Sequence, residues 1–451
     1  MSVKLINAHA VLLGVSLIGI APRGVSAQAT LRGWEEYARL TIFDRTGSYF
    51  GRTASQGILQ RFGNPELDAE YDLDAVSFSP TLAEEYEWFR HESGARFWTG
   101  SINHLHLIQN AEFAAAVPLG ASWSAGAQLT HQRSLQAHRS LVQISLRHDL
   151  TDRVRVFAGG TLQDTKPDMD LEAGVVWATG RGRLTLAIAA LDPFSDFIQQ
   201  TLGVAYVTDS AVNYGAHPFA GRLALDLPLG DRLRVEAYAL TLTPSDFALE
   251  LVSDSTGGFT QRERYAYAGG QLEWTPGSRT ALGIRGTWVR ATMDRTPGLT
   301  GPVEDDFRLV EQTTEIGAYG MQRLSGHFSA EARVSRVMQP DDRTYRRSGA
   351  PPSELYEDRA WSGRVEGMYH AAGGFRGALG LDFLAREIPP PDAAGARAFL
   401  ADNNFRLRFD LGWRFGDRAS FMVGTNADLD GDNNTAIGAF DGAHGRFSLY
   451  W

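Results

Sequence analysis

The side chains best suited to chemistry are arginines and carboxylates that recur at every second position of alternating segments. Arg147, Arg155, Arg183, Arg222, Arg234, Arg285, Arg333, Arg364, Arg376, Arg406, Arg408 and Arg414 fall largely on polar positions, and so do Asp226, Glu236, Glu273, Glu331, Glu366, Asp382 and Asp410. A guanidinium presents a planar fork that grips carboxylates and phosphates through two hydrogen bonds. If these groups line one water-filled lumen, they set up a transverse field that orients polar solutes and disfavours apolar ones. A cationic excess would favour anionic sugars or phosphates. The competing expectation is mutual neutralisation, with no solute preference.

Three smaller constellations stand apart. Asp428, Asp430 and Asp432 alternate in Asp-Leu-Asp-Gly-Asp-Asn-Asn and offer hard oxygen ligands of the kind Ca²⁺ takes. The glycine sits at the fourth position rather than the sixth, no Glu stands at the twelfth, and such runs are also ordinary turn formers. The stretch 193–217 contains Ser195, Asp196, Phe197 and Gln199 and can begin a short helix capped by Ser195. It is long enough to fold inward as a constriction, with an outer lid as the alternative. His91-Glu92-Ser93 places an imidazole near a hydroxyl, with Asn103 ten residues after Ser93, which is a weak signal for a lipid hydrolase. A histidine near a helix C-terminus is the better reading of it. With no nucleophile elbow, phosphate-cradling glycine loop or metal-spaced histidines, no catalytic residues, no enzyme and no cofactor beyond that outer-loop Ca²⁺ are expected.

These groups need elements to position them, and the sequence supplies strands. Phe405, Leu407, Phe409, Leu411, Trp413 and Phe415 alternate with Arg406, Arg408, Asp410, Gly412 and Arg414. Leu223, Leu225, Leu227 and Leu229 alternate with Arg222, Ala224 and Asp226. Period two puts one set on each face of a sheet. The segments approach the ~9–11 residues that span a tilted bilayer strand. A soluble sandwich would use shorter strands and turn its polar face outward.

Short and long connections alternate. Eight short ones carry tight-turn residues, among them Leu229-Gly230-Asp231, Pro276-Gly277-Ser278 and Gly416-Asp417-Arg418. The longer polar stretches are 193–217, 244–261, 293–308, 339–358 and 388–402. Eight short turns imply sixteen strands, and a terminal strand over 441–451 adds one. Bacterial barrels need an even number, so a first strand is expected before residue 104, at 37–44, 71–79 or 94–101. The predicted fold is all-β: a transmembrane antiparallel up-and-down β-barrel of about 18 strands, with 16 as the fallback.

The N-terminus reads as a secretory signal over 1–27. Lys4 gives it a positive start, residues 11–21 an apolar core, and Val25-Ser26-Ala27 a cleavage site. Removing Lys4 and Arg23 with it takes the net charge from −10 to about −12. That balance speaks against nucleic acid as a partner. The chain has no Cys, which excludes disulfides and thiolate metal sites. After Ala27 no run of 18 apolar residues occurs, so helical membrane spans are not expected.

At its end the chain resembles the bacterial outer-membrane β-barrel superfamily. Gly445, Phe447, Leu449 and Trp451 alternate with Arg446, Ser448 and Tyr450, and members of that superfamily close on such an aromatic-ended strand. The resemblance implies residence in the cell outer membrane, with lipid and lipopolysaccharide around the barrel. It also implies the barrel-assembly machinery as the reader of Phe447, Leu449 and Trp451. It does not select a subfamily. The expected organisation is a signal peptide at 1–27, an N-terminal segment at 28–100 and a barrel over 101–451. The N-terminal segment carries a helix signal over 79–90, with Ser79 at the cap and Pro80 next. It would serve as a plug or periplasmic element and supply the first strand. Trp177, Trp274, Trp288, Trp413, Phe415, Tyr450 and Trp451 read as interfacial girdles. The function expected is passive diffusion of polar or anionic small solutes. The alternative is a structural barrel that anchors or exports a polysaccharide through a blocked lumen.

Overall fold

The computed structural model describes residues 94–450 apart from the connecting positions 103–105, 134–137, 164–168, 180–181, 191–209, 217–218, 252–257, 300, 302–305, 350–353, 372, 388–402, 417 and 430–439. The signal segment, the helix signal at 79–90, His91-Glu92-Ser93, the expected constriction residues Asp196, Phe197 and Gln199, and Asp430, Asp432 and Trp451 lie outside the described residues.

The described chain is one antiparallel sheet of 19 strands. The first nine are β1 (Gly94–Ile102), β2 (His106–Pro118), β3 (Trp123–Arg133), β4 (His138–Thr151), β5 (Val154–Gln163), β6 (Met169–Thr179), β7 (Gly182–Ala190), β8 (Ser210–Ala216) and β9 (Phe219–Leu229). Then come β10 (Leu233–Leu251), β11 (Phe259–Gly277), β12 (Thr280–Pro297), β13 (Phe307–Arg323) and β14 (Phe328–Tyr345). The last five are β15 (Glu354–His370), β16 (Phe375–Glu387), β17 (Asn403–Phe415), β18 (Ala419–Asp428) and β19 (Phe440–Tyr450).

The sheet closes. β1 pairs with β2 on one side and with β19 on the other, Gly94 facing Tyr450 and Phe97 facing Phe447. β8 and β9 both lie against β10: β8 on its upper part, Glu250 facing Ala211, and β9 on its lower part, Glu236 facing Asp226. They form one interrupted stave, so nineteen strands make the eighteen staves expected from sequence. The hidden first strand is the third of the three candidates; it begins inside the stretch 28–100 and runs on to Ile102. A barrel of this number leaves room for an aqueous lumen.

Turn chemistry holds one end together. The short connections at Gly230, Gly374 and Gly416 place those glycines at φ of 76°, 84° and 61°, a conformation side chains disfavour. In the turn after β4, the Thr151 hydroxyl accepts from the backbone N–H groups of Arg153 and Val154.

The other end corrects the expected loop lengths. β10 to β15 run 17 to 19 residues, well past a bilayer crossing. The loop expected over 244–261 shrinks to the segment between Leu251 and Phe259. The stretch 193–217 likewise ends in β8. Above the membrane the outward face meets water instead of lipid, so pairing continues without the apolar alternation that would reveal it.

The two faces of the wall differ as period two requires. Ile144, Leu186, Ile188, Leu223, Leu379, Phe405, Phe409 and Trp413 are exposed on the outside. Trp177, Trp274, Trp413 and Phe415 lie on the outward face near the short-turn end, where they form an aromatic girdle. An outward apolar face exposed to water at this scale would aggregate, whereas in lipid it costs nothing.

Candidate functional site: the charged inner wall

The register brings the predicted charged residues together on the inside. Arg183 faces Asp226, Asp226 faces Glu236, Glu236 faces Gln271 and Gln271 faces Arg285, so a single rung crosses β7 and β9 to β12. Arg147 and Arg155 lie on the inward register of β4 and β5, and Arg155 pairs with Asp149 near the short-turn mouth. Arg414 also reaches that mouth, exposed, and donates to the carbonyl of Gly416 at 3.0 Å. Asp382 and Arg406 are direct cross-strand partners in the backbone register of β16 and β17. Among the described residues no group of three or more His, Asp or Glu is placed to hold a metal ion. Asp428 ends β18, with its backbone opposite Arg406.

On β9 to β13 the charges pair with one another. Arg234 forks Asp226, Nε to Oδ1 and Nη2 to Oδ2 both at 2.8 Å, and its Nε also lies 2.9 Å from Glu236 Oε1. Gln271 donates to the other oxygen of Glu236 at 2.6 Å. Arg222 pairs with Glu172 two staves away, and Gln143 donates to the same carboxylate at 3.3 Å. Arg285 reaches Glu315 at 3.2 Å.

Glycine makes one of these contacts. Gly283 and Tyr319 are cross-strand partners, and a Cβ on Gly283 would fall inside the Tyr319 ring. The ring lies across the gap and delivers its hydroxyl to Glu273 at 3.0 Å. Gly126 similarly leaves room for Arg147, whose Nη2 would stand 3.1 Å from a Cβ there.

On β14 to β17 the arrangement differs. Glu331 and Glu366 face each other directly, 2% and 1% exposed, and none of their four carboxylate oxygens accepts a hydrogen bond. The next inward pair is Arg333 opposite Arg364. Gly380 stands between Glu366 and Arg408 in register, a gap in the row of side chains. Arg408 donates to Asp410 at 2.5 Å. Arg364 and Arg408 are each 1% exposed.

The balance of charge differs between these adjoining sectors. On β9 to β13, Arg222, Arg234, Arg285, Arg295 and Arg323 stand against Asp226, Glu236, Glu273 and Glu315. On β14 to β17, Arg333, Arg364, Arg376, Arg408 and Arg414 stand against Glu331, Glu366 and Asp410. Sequence reasoning missed Glu172, Gln261, Gln271, Glu315 and Tyr319. The parity of each strand carries the signal for all five, but which partner each one meets depends on register between strands.

No protein-family model and no curated relative matches the chain. Among solved structures it is similar to a bacterial polysaccharide outer membrane secretin, at 12% identity over 80% of this chain and 99% of that one, TM-score 0.36. It is also similar to OccAB3 of Acinetobacter baumannii, at 9% identity over 79% and 97%, TM-score 0.37. The outer membrane channel DcaP of the same organism gives 10% identity over 79% and 97%, TM-score 0.35. Likeness at that level says nothing of function. The closed ring with its apolar outer belt, one end of short turns and a charged interior stands on its own geometry: this chain is a membrane-spanning antiparallel β-barrel.

Proposed function

We propose that the barrel is a diffusion channel for small polar or anionic solutes, with the inner wall of β14 to β17 as its selective element. The observation that supports this is the opposed Glu331–Glu366 pair, buried beside Arg333, Arg364 and Arg408 without a hydrogen bond to its oxygens. A buried carboxylate left without a hydrogen bond costs on the order of 1–3 kcal/mol or more. A wall needed only for strength would give each carboxylate at least one donor, as β9 to β13 do for Asp226, Glu236, Glu273 and Glu315. The arginine excess in the same sector lowers the energy of an anion there, and a fork suits carboxylate, sulfate or phosphate groups. Purified protein in a planar bilayer should conduct, with a reversal potential in a salt gradient that favours anions. Cation preference, or indifference to charge, would oppose this reading.

A second reading has its own observation. Arg364, Glu366 and Arg408 are 1% exposed although they face the lumen, which suits a barrel whose interior is filled and whose role is to anchor or export a polysaccharide. Silence in the bilayer that turns to conductance when residues 28–93 are deleted would favour it. Deletion through residue 100 would be uninformative, because it removes most of β1.

A further inference from the structure

The outward belt is not uniform. On β10 and β11 its outward positions hold small residues in register: Ala237 faces Gly270, Ala239 faces Ala268 and Thr241 faces Ala266. Gly286 on β12 continues the row from Gly270. Bulky residues flank this strip, Leu186, Ile188 and Leu223 on one side and Trp288 on the other. Together they bound a hollow of about 750 Å³ on the outer face, also lined by Ala239 and Ala268. That volume accommodates acyl chain rather than a lone methyl group.

The upper end of the hollow is cationic. Arg264 and Arg290 continue the outward registers of β11 and β12 directly above Ala266 and Trp288. Arg290 faces Ala266 and Arg264 faces Thr292, so the two are diagonal neighbours, with Cα atoms about 7–8 Å apart by sheet geometry. Both are exposed, and neither has a hydrogen-bond or ion-pair partner among the described residues. One step higher, Arg262 is neutralised by Asp246 at 3.3 Å.

Height places the pair at a headgroup. Trp274 belongs to the short-turn girdle, and Arg264 lies ten positions above it on the same face. A strand tilted by about 40° climbs roughly 2.5 Å per residue, so Arg264 stands about 25 Å up, the thickness of the apolar band. The long-loop end is the cell-surface end. These arginines therefore sit where the outer leaflet presents its phosphates.

We propose that this sector of β10 to β12 binds the phosphorylated, multiply acylated glycolipid of the outer leaflet, with a phosphate across Arg264 and Arg290 and an acyl chain in the hollow. A two-fold contact with a second copy of the chain is disfavoured, because an isologous contact centred here would set unpaired arginines against their own copies. The proposal rests on the barrel's place in the membrane and not on the channel reading.

The test is native mass spectrometry of the full chain in detergent, with diphosphorylated hexa-acyl lipid A or phosphatidylethanolamine added. Wild-type protein should retain one lipid A at collision energies that strip phosphatidylethanolamine. Arg264→Gln with Arg290→Gln should weaken retention about tenfold, the loss expected when charge-assisted hydrogen bonds to a phosphate go. Ala268→Leu, which fills the hollow and leaves the arginines in place, should weaken it as well. Heat-modifiable gel mobility identifies folded protein, and the two variants lie on different parts of the site, so a folding failure in one leaves the other decisive. Equal retention of both lipids by wild type, or retention unchanged in both variants, would overturn the proposal. So would a dimer that dissociates in the variants while lipid A binding is unaffected.

Discussion

Two adjoining sectors of one inner wall handle the same residue types in opposite ways. On β9 to β13 each central carboxylate has a donor: Gln271 for Glu236, which also pairs with Arg234, Arg234 for Asp226, Arg285 for Glu315 and Tyr319 for Glu273. On β14 to β17, Glu331 and Glu366 oppose each other and accept no hydrogen bond. Charge spent on a neighbour rigidifies the wall and is masked from a passing solute. Charge left without a hydrogen bond keeps its pull on whatever enters. The first sector is therefore expected to govern stability, and the second permeation.

The largest effect should come from breaking the satisfied sector. Arg234→Ala strips the fork from Asp226 and Glu236, which are 4% and 2% exposed. Removing one member of such a buried ion pair costs about 3–5 kcal/mol. Urea unfolding from lipid vesicles should show that loss, and a change below 1 kcal/mol would mean the network is not structural. A smaller effect is expected from Gly283→Ala, which drives a methyl group into the Tyr319 ring and dislodges its bond to Glu273. Overpacking of this kind costs about 1–3 kcal/mol. Tyr319→Phe, which keeps the ring and removes only the hydroxyl, should cost about 1 kcal/mol on the same measure.

The other sector should respond in the opposite sense. Glu331→Gln with Glu366→Gln removes two charges that accept no hydrogen bond, and it should leave unfolding unchanged or raise stability by about 1 kcal/mol. The same pair of substitutions should strengthen anion preference. One elementary charge about 6 Å from a permeating ion in water is worth roughly 0.7 kcal/mol, or about threefold in the permeability ratio. If the double substitution destabilises the barrel as much as Arg234→Ala does, the distinction between the sectors fails.

The sequence made the second-order architecture readable where one face of a strand meets lipid. β17 alternates without interruption from Phe405 to Phe415, and its faces follow from parity alone. β1 was harder, because Gly94, Ala95, Thr99 and Gly100 dilute the pattern around Phe97. β8 is hidden within the polar stretch 193–217, since Ser210, Ala211, Asn213 and Gly215 give a strand little apolar signal. β10 from 244 onward and the first three residues of β11 likewise lack the alternation of a lipid-facing strand. The inward placement of the arginines was legible from the cost of putting them in lipid, ~2–4 kcal/mol each at mid-bilayer. The opposition of Glu331 to Glu366, and the delivery of Tyr319 to Glu273 across Gly283, were not. Both depend on inter-strand register, which is set by turns and long-range pairing rather than by the alternation within one strand.

The most direct test of the central claim is the reversal potential of single channels formed by the full chain across a tenfold KCl gradient, compared with Arg364→Gln carrying Arg408→Gln. The wild-type protein should conduct with anion preference, and the double variant should lose that preference by about threefold or more while still conducting. An identical reversal potential in the two proteins, or a folded wild type that passes no ions, would contradict the assignment of β14 to β17 as the selective wall of an open channel.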